Sequence, residues 1–128
     1  SLQLTTLEKD PILQKAAQDQ SDYMLAIKKL AHEQNNSTKK YPKNRIHYYG
    51  GTDFIGYAEN VLYLTVEPKT YSETDMAELA KNMYLEWANS PPHYKNIITK
   101  EYEYANIAFA YDSKSKRLYA TNVFGNKK

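Results

Sequence analysis

YANIAFAYD, residues 104–112, and LYATNVFG, residues 118–125, decide the fold class. In the first, Ala105, Ile107 and Phe109 alternate with Asn106, Ala108 and Ala110, which is the two-residue period of a strand. Asp112 to Lys116 reads DSKSK, a polar run suited to a turn, and Leu118 to Phe124 returns as the partner strand. The chain therefore closes on an antiparallel β-hairpin.

Two amphipathic helices are predicted upstream. Asp10-Pro11 opens the first: aspartate caps free backbone N–H groups, and proline at the first helical position gives up an N–H that would have no partner there. Leu13, Ala16, Ala17, Met24, Ile27, Leu30 and Ala31 fall largely on one stripe, so this helix is expected to run to about Ala31. The second spans Ser72 to Asn89. Ser72 caps it, Glu73 and Asp75 suit its positive end, and Met76, Leu79, Ala80, Met83 and Trp87 make the apolar stripe. Pro91-Pro92 stops it, and a short turn from His93 to Ile98 follows.

Between the helices, Gln34 to Asn44 is polar and reads as a loop, continued by Gly50-Gly51 and Gly56. Glu59 to Val66, ENVLYLTV, is short and apolar; its period fits a strand or a helical turn equally well. The order of elements is an α+β pattern in which helices cover an antiparallel sheet.

Composition bounds the function. With 128 residues, 41% hydrophobic and 25% charged, the chain suits one globular domain over 1–128. A net charge of +2 with scattered lysines argues against nucleic acid as a partner. Cysteine is absent, which excludes disulfides and thiolate metal sites but leaves the compartment open. No apolar run approaches the roughly 18 residues that span a bilayer. The chain starts without methionine or a signal peptide, so an export signal or lipid anchor is expected upstream of Ser1. Thirteen tyrosines against three phenylalanines and one tryptophan predict many half-buried rings with polar tips.

Four stretches now line up in order. DPILQKAAQDQSDYM followed by LAH at His32 resembles the first helix and histidine of the CAP superfamily (cysteine-rich secretory protein, antigen 5 and pathogenesis-related type). GYAENV, Gly56 to Val61, resembles its Gly-Glu-Asn signature, with Ala58 where glycine is usual. LEWANSPPHYKNI, Leu85 to Ile97, resembles the bacterial Trp, Ser-Pro-Gly-His and Asn-Ile pattern, with Pro92 in place of glycine. The final hairpin resembles the closing strands, which often end in Phe-Gly.

The resemblance implies an α-β-α sandwich, a small antiparallel sheet between helical layers. It also implies a shallow cleft where two histidines and two acidic residues meet. His32, Glu59 and His93 match three of these positions; the second acid falls on Ser90, so the tetrad is incomplete. Asn60 accompanies Glu59 in the signature. Through the resemblance, His32 and His93 become candidate ligands for a divalent ion, zinc above all, although no cofactor is required. The structural alternative is a hydrogen-bonded network pinning loops to the sheet. His47, beside Tyr48 and Tyr49, is expected to be an exposed loop residue, and Trp87 to be core.

Family members are secreted or surface proteins, so an extracellular location, secreted or anchored at a bacterial surface, is implied. A wealth of Lys, Asn, Tyr and Ile suits an AT-rich bacterial genome, and a spirochaete outer-surface lipoprotein would fit. The leading expectation is a non-enzymatic binding module for a lipid, a sterol or a host extracellular protein. The alternative is a metal-dependent hydrolase or protease using the His/Glu cleft.

Overall fold

The computed structural model describes residues 7–89 and 102–127. Helix α1 spans Pro11–Ile27, followed by a 3-10 turn at Ser37–Lys39, helix α2 at Pro42–Tyr48, strand β1 at Phe54–Thr65 and helix α3 at Glu73–Ala88. Strands β2, Tyr104–Asp112, and β3, Arg117–Lys127, form the closing hairpin. The three strands make one antiparallel sheet in the order β1-β3-β2.

Strand β3 lies in the middle because its alternation buries both faces. Val123 and Tyr119 lie on one side, Phe124 and Ala120 on the other, and all are at most 1% exposed. Glu59 pairs with Val123, and Asn106 pairs with the same residue from β2. One face of the sheet thus carries Glu59, Val61, Val123, Tyr119, Asn106 and Ala108. Helix α1 covers that face with Leu13, Ala16 and Ala17, joined by Ile46 of α2 and Phe54. Met83 and Trp87 of α3 cover the other, against Leu62, Ala105, Ala120 and Phe124. Each large apolar side chain so buried contributes about 1.5–3 kcal/mol of transfer free energy. The architecture is the expected sandwich, helix on sheet on helix.

The caps predicted for the helices are present. Asp10 Oδ1 accepts from the N–H groups of Ile12 and Leu13, and Pro11 occupies the first turn. Ser72 and Asp75 exchange side-chain and backbone bonds in a capping box.

Four local expectations fail. Helix α1 ends at Ile27, four residues short of Ala31, because Lys28 turns left-handed (φ 61°) and its N–H closes on Met24 O. Ala31 then turns back, and its carbonyl accepts from Gln20 Nε2 at 2.6 Å. The stretch from Gln34 to Asn44 is not one loop: Pro42 opens α2 in the same way that Pro11 opens α1. His47 therefore sits on a helix, half-buried, with Nε2 3.1 Å from Tyr57 Oη. ENVLYLTV, left open between strand and helix, is strand as far as Thr65, and Gly56 lies in the same strand rather than in a loop.

Candidate functional site

Glu59, the one charged residue of β1, faces the α1 side of the sheet, and its side chain is 1% exposed. A carboxylate buried this far must be paired. Its partner is Arg45, on α2 and fully buried, with Nη2 2.9 Å from Glu59 Oε2. The other oxygen, Oε1, lies 2.9 Å from His32 Nδ1. A carboxylate only accepts, so Nδ1–H is the donor in this bond.

Arg45 does more than neutralise Glu59. Nη1 donates to the carbonyls of Lys39 (2.8 Å) and Lys40 (3.1 Å), and Nη2 donates to the carbonyl of His32 (2.9 Å). One guanidinium therefore gathers three carbonyls of the polar segment between α1 and α2 and ties them to the sheet. Gln34, buried at 5% exposure, adds a second tie: its amide donates to Gln20 Oε1 at 2.8 Å and Asp19 Oδ1 at 3.0 Å. A segment with few apolar side chains is fixed here by bonds to buried polar side chains, although Arg45 Nε itself is buried without a hydrogen-bond partner among the described residues.

The sequence-derived site residues separate as follows. His32 and Glu59 are together. Asn60, next in the strand, points to the opposite face, where it is buried opposite Asn122. Ser90 and His93 lie outside the described residues. Trp87 is core, 1% exposed, with Nε1 3.3 Å from Val61 O at the sheet edge.

The donors that zinc would need do not assemble among the described residues. No group of three His, Cys, Asp or Glu side chains converges there, and both oxygens of Glu59 already serve Arg45 and His32. Nδ1 of His32 is engaged by Glu59, which leaves Nε2 as its one ring nitrogen that could meet a metal. Nor is any described helix long and apolar enough to cross a membrane.

A different concavity opens on the α3 side of the sheet. Val66, Pro68 and Tyr71 of the β1–α3 connection, Met76 and Leu79 of α3, and Phe109, Tyr111 and Leu118 of the hairpin enclose about 230 Å³. Its walls are almost wholly apolar, with the charged Glu67 and Lys69 also lining it. Tyr111 Oη donates to Val66 O (3.3 Å) and Tyr71 Oη to Glu67 O (2.7 Å), so the polar tips of two rings are spent on backbone. Lys69 Nζ lies 5.1 Å from the Tyr71 ring centre.

Sequence reading missed Arg45 and this hollow. The signal for Arg45 was present: Glu59, the one charged residue of β1, demands a cation, and the chain has only two arginines, Arg45 and Arg117. The hollow had no local signature, because its walls come from three separate elements.

Comparisons agree with this geometry. Among solved structures, the fold is similar to an outer surface protein from Borrelia burgdorferi, with a TM-score of 0.74 at 20% identity, covering 95% of this chain and 78% of that one. It is also similar to an extracellular protein containing a SCP domain from Bacillus anthracis, with a TM-score of 0.65 at 20% identity, covering 94% of this chain and 34% of that one. No curated protein sequence matches. The model of the cysteine-rich secretory protein family, CAP, matches residues 1–124, and the chain, though it has no cysteine, belongs to that family.

Proposed function

We propose that this CAP domain is a non-enzymatic binding module working outside the cell, secreted or anchored at a bacterial surface, and that it takes a single-chain amphiphile such as a medium-length fatty acid. The apolar hollow bounded by Leu79, Phe109 and Leu118 carries this reading, since a concave apolar site with a few polar groups at its edge is what a ligand with a greasy tail requires. At about 30 Å³ for each small group, 230 Å³ accommodates roughly eight methylenes. Lys69 supplies a cation for a carboxylate head. The closed pairing of Glu59 with Arg45 and His32 supports framework rather than proton transfer at that position. The naming of one structural neighbour as an outer surface protein and of the other as extracellular supports the location.

A ligand of twelve heavy atoms such as decanoate, at ~0.5 kcal/mol each, binds with about −6 kcal/mol, a Kd of tens of micromolar. Calorimetric titration with decanoate tests this, with cholesterol and host extracellular-matrix proteins as parallel arms. Decanoate binding that is lost in Leu79→Asp supports the reading. Absence of decanoate binding, or binding unchanged in that variant, overturns it; capture of only a sterol or a protein assigns a different partner.

A further inference from the structure

A second arrangement, on the outer side of α1 and remote from the apolar hollow, has no part in the proposal above. Asp19 of α1 accepts three hydrogen bonds. Gln34 Nε2 donates to Oδ1 at 3.0 Å, while Tyr49 Oη at 2.5 Å and Lys39 Nζ at 2.9 Å share Oδ2. The Lys39 ammonium also lies 4.4 Å from the centre of the Tyr48 ring and 5.7 Å from that of Tyr49. The two rings meet edge to face, 4.9 Å apart at 78°. A carboxylate with two ring faces around one ammonium is the chemistry that selects alkylammonium cations, since the ring quadrupole attracts the charge and the carboxylate neutralises it.

Two features go beyond what a structural ion pair needs. An open polar concavity of about 410 Å³ adjoins the group, bordered also by Lys15, Gln18 and Asp22. Tyr48 is 56% exposed, so one wall of the cage faces solvent. Lys39 enters from the last position of a single 3-10 turn, a short segment whose side chain can swing out without disturbing a helix or strand.

We propose that Asp19, Tyr48 and Tyr49 form a binding site for the alkylammonium group of an external organic cation, and that the protein's own Lys39 occupies it as a tethered competitor. A side chain on a short tether acts at an effective concentration in the millimolar range, so an outside cation must exceed that to enter while Lys39 is present. Removing the lysine charge opens the site.

The test is calorimetric and NMR titration of the parent and Lys39→Ala with n-butylammonium chloride and with choline chloride, at ionic strength held constant by NaCl. Lys39→Ala is expected to bind butylammonium about 10-fold tighter than the parent, and adding Tyr48→Ala to remove the gain. The quaternary nitrogen of choline shares the ring contacts but carries no N–H for Asp19; binding of both cations assigns the cage to ammonium groups generally, and binding of butylammonium alone assigns it to primary amines. Lys39→Ser serves as an independent second variant should Lys39→Ala fold poorly. No binding by either variant up to about 50 mM, equal affinity in parent and variant, or binding unaffected by Tyr48→Ala each overturns the proposal.

Discussion

Replacing Arg45 with methionine removes the cation that Glu59 depends on while keeping the length of the apolar stem. Both side chains are at most 1% exposed, so Glu59 would keep a charge that solvent does not reach. Breaking a buried pair from one side costs about 3–5 kcal/mol. Loss of the bonds to the carbonyls of His32, Lys39 and Lys40 acts in the same direction. With total stability in the range of about 5–15 kcal/mol, the one change removes a fifth or more of it. An unfolding entropy of about 2.1 cal/mol/K per residue over 128 residues is about 0.27 kcal/mol/K, so ~4 kcal/mol lowers Tm by roughly 15 °C. Urea denaturation of Arg45→Met, Glu59→Leu and the double variant measures the coupling. The double variant is expected to be more stable than the sum of the single losses by ~2 kcal/mol or more, with incomplete recovery because the three carbonyls stay bare. A loss below about 1 kcal/mol in Arg45→Met, or strict additivity, would refute the reasoning.

Three further outcomes follow from the same structure. Burial alone would raise the Asp19 carboxyl, but the bonds from Lys39, Tyr49 and Gln34 outweigh it and hold the group below the usual carboxylate range; a lowered carboxyl stabilises above its unfolded value of about 3.9 and loses that contribution as pH falls through its folded value. Acid unfolding followed by circular dichroism is therefore expected to be shallower below about pH 4 in Asp19→Asn, and an unchanged profile would contradict the assignment. A Cβ on Gly125 would lie 2.7 Å from Phe54 Cδ1 in the packed core, so Gly125→Ala is expected to cost about 1–3 kcal/mol by denaturant titration, and a neutral result would mean Phe54 moves freely. A zinc titration at micromolar concentration tests His32 as a ligand: a rise in Tm that vanishes in His32→Ala would show that its ring recruits further ligands, and a Tm that does not move would show that it recruits none.

The closing hairpin and two of the helices were legible because their signals are local. Alternation in YANIAFAYD fixes which residues face α1 and which face α3, and Asp10-Pro11 and Ser72 carry their caps in neighbouring atoms. Helix α2 escapes a sequence reading because proline in Tyr41-Pro42 looks like a break, whereas it in fact begins the helix. The end of α1 escapes it because an apolar stripe runs on past Lys28, and nothing in the stripe announces a left-handed lysine. At the site, Glu59 was legible as a residue of consequence and His32 as its companion, both through family resemblance. Their tie to Arg45 depends on tertiary folding that brings α2 against β1. Grouping Asn60 with Glu59 followed the sequence signature, whereas the strand's period of two sends adjacent side chains to opposite faces.

Decanoate titration of three proteins, the parent, Leu79→Asp and Glu59→Gln, most directly separates a ligand hollow from a catalytic cleft. Retained affinity in Glu59→Gln with loss in Leu79→Asp is the predicted result. The reverse pattern, with binding governed by Glu59 and indifferent to Leu79, would contradict the placement of the ligand on the α3 side of the sheet.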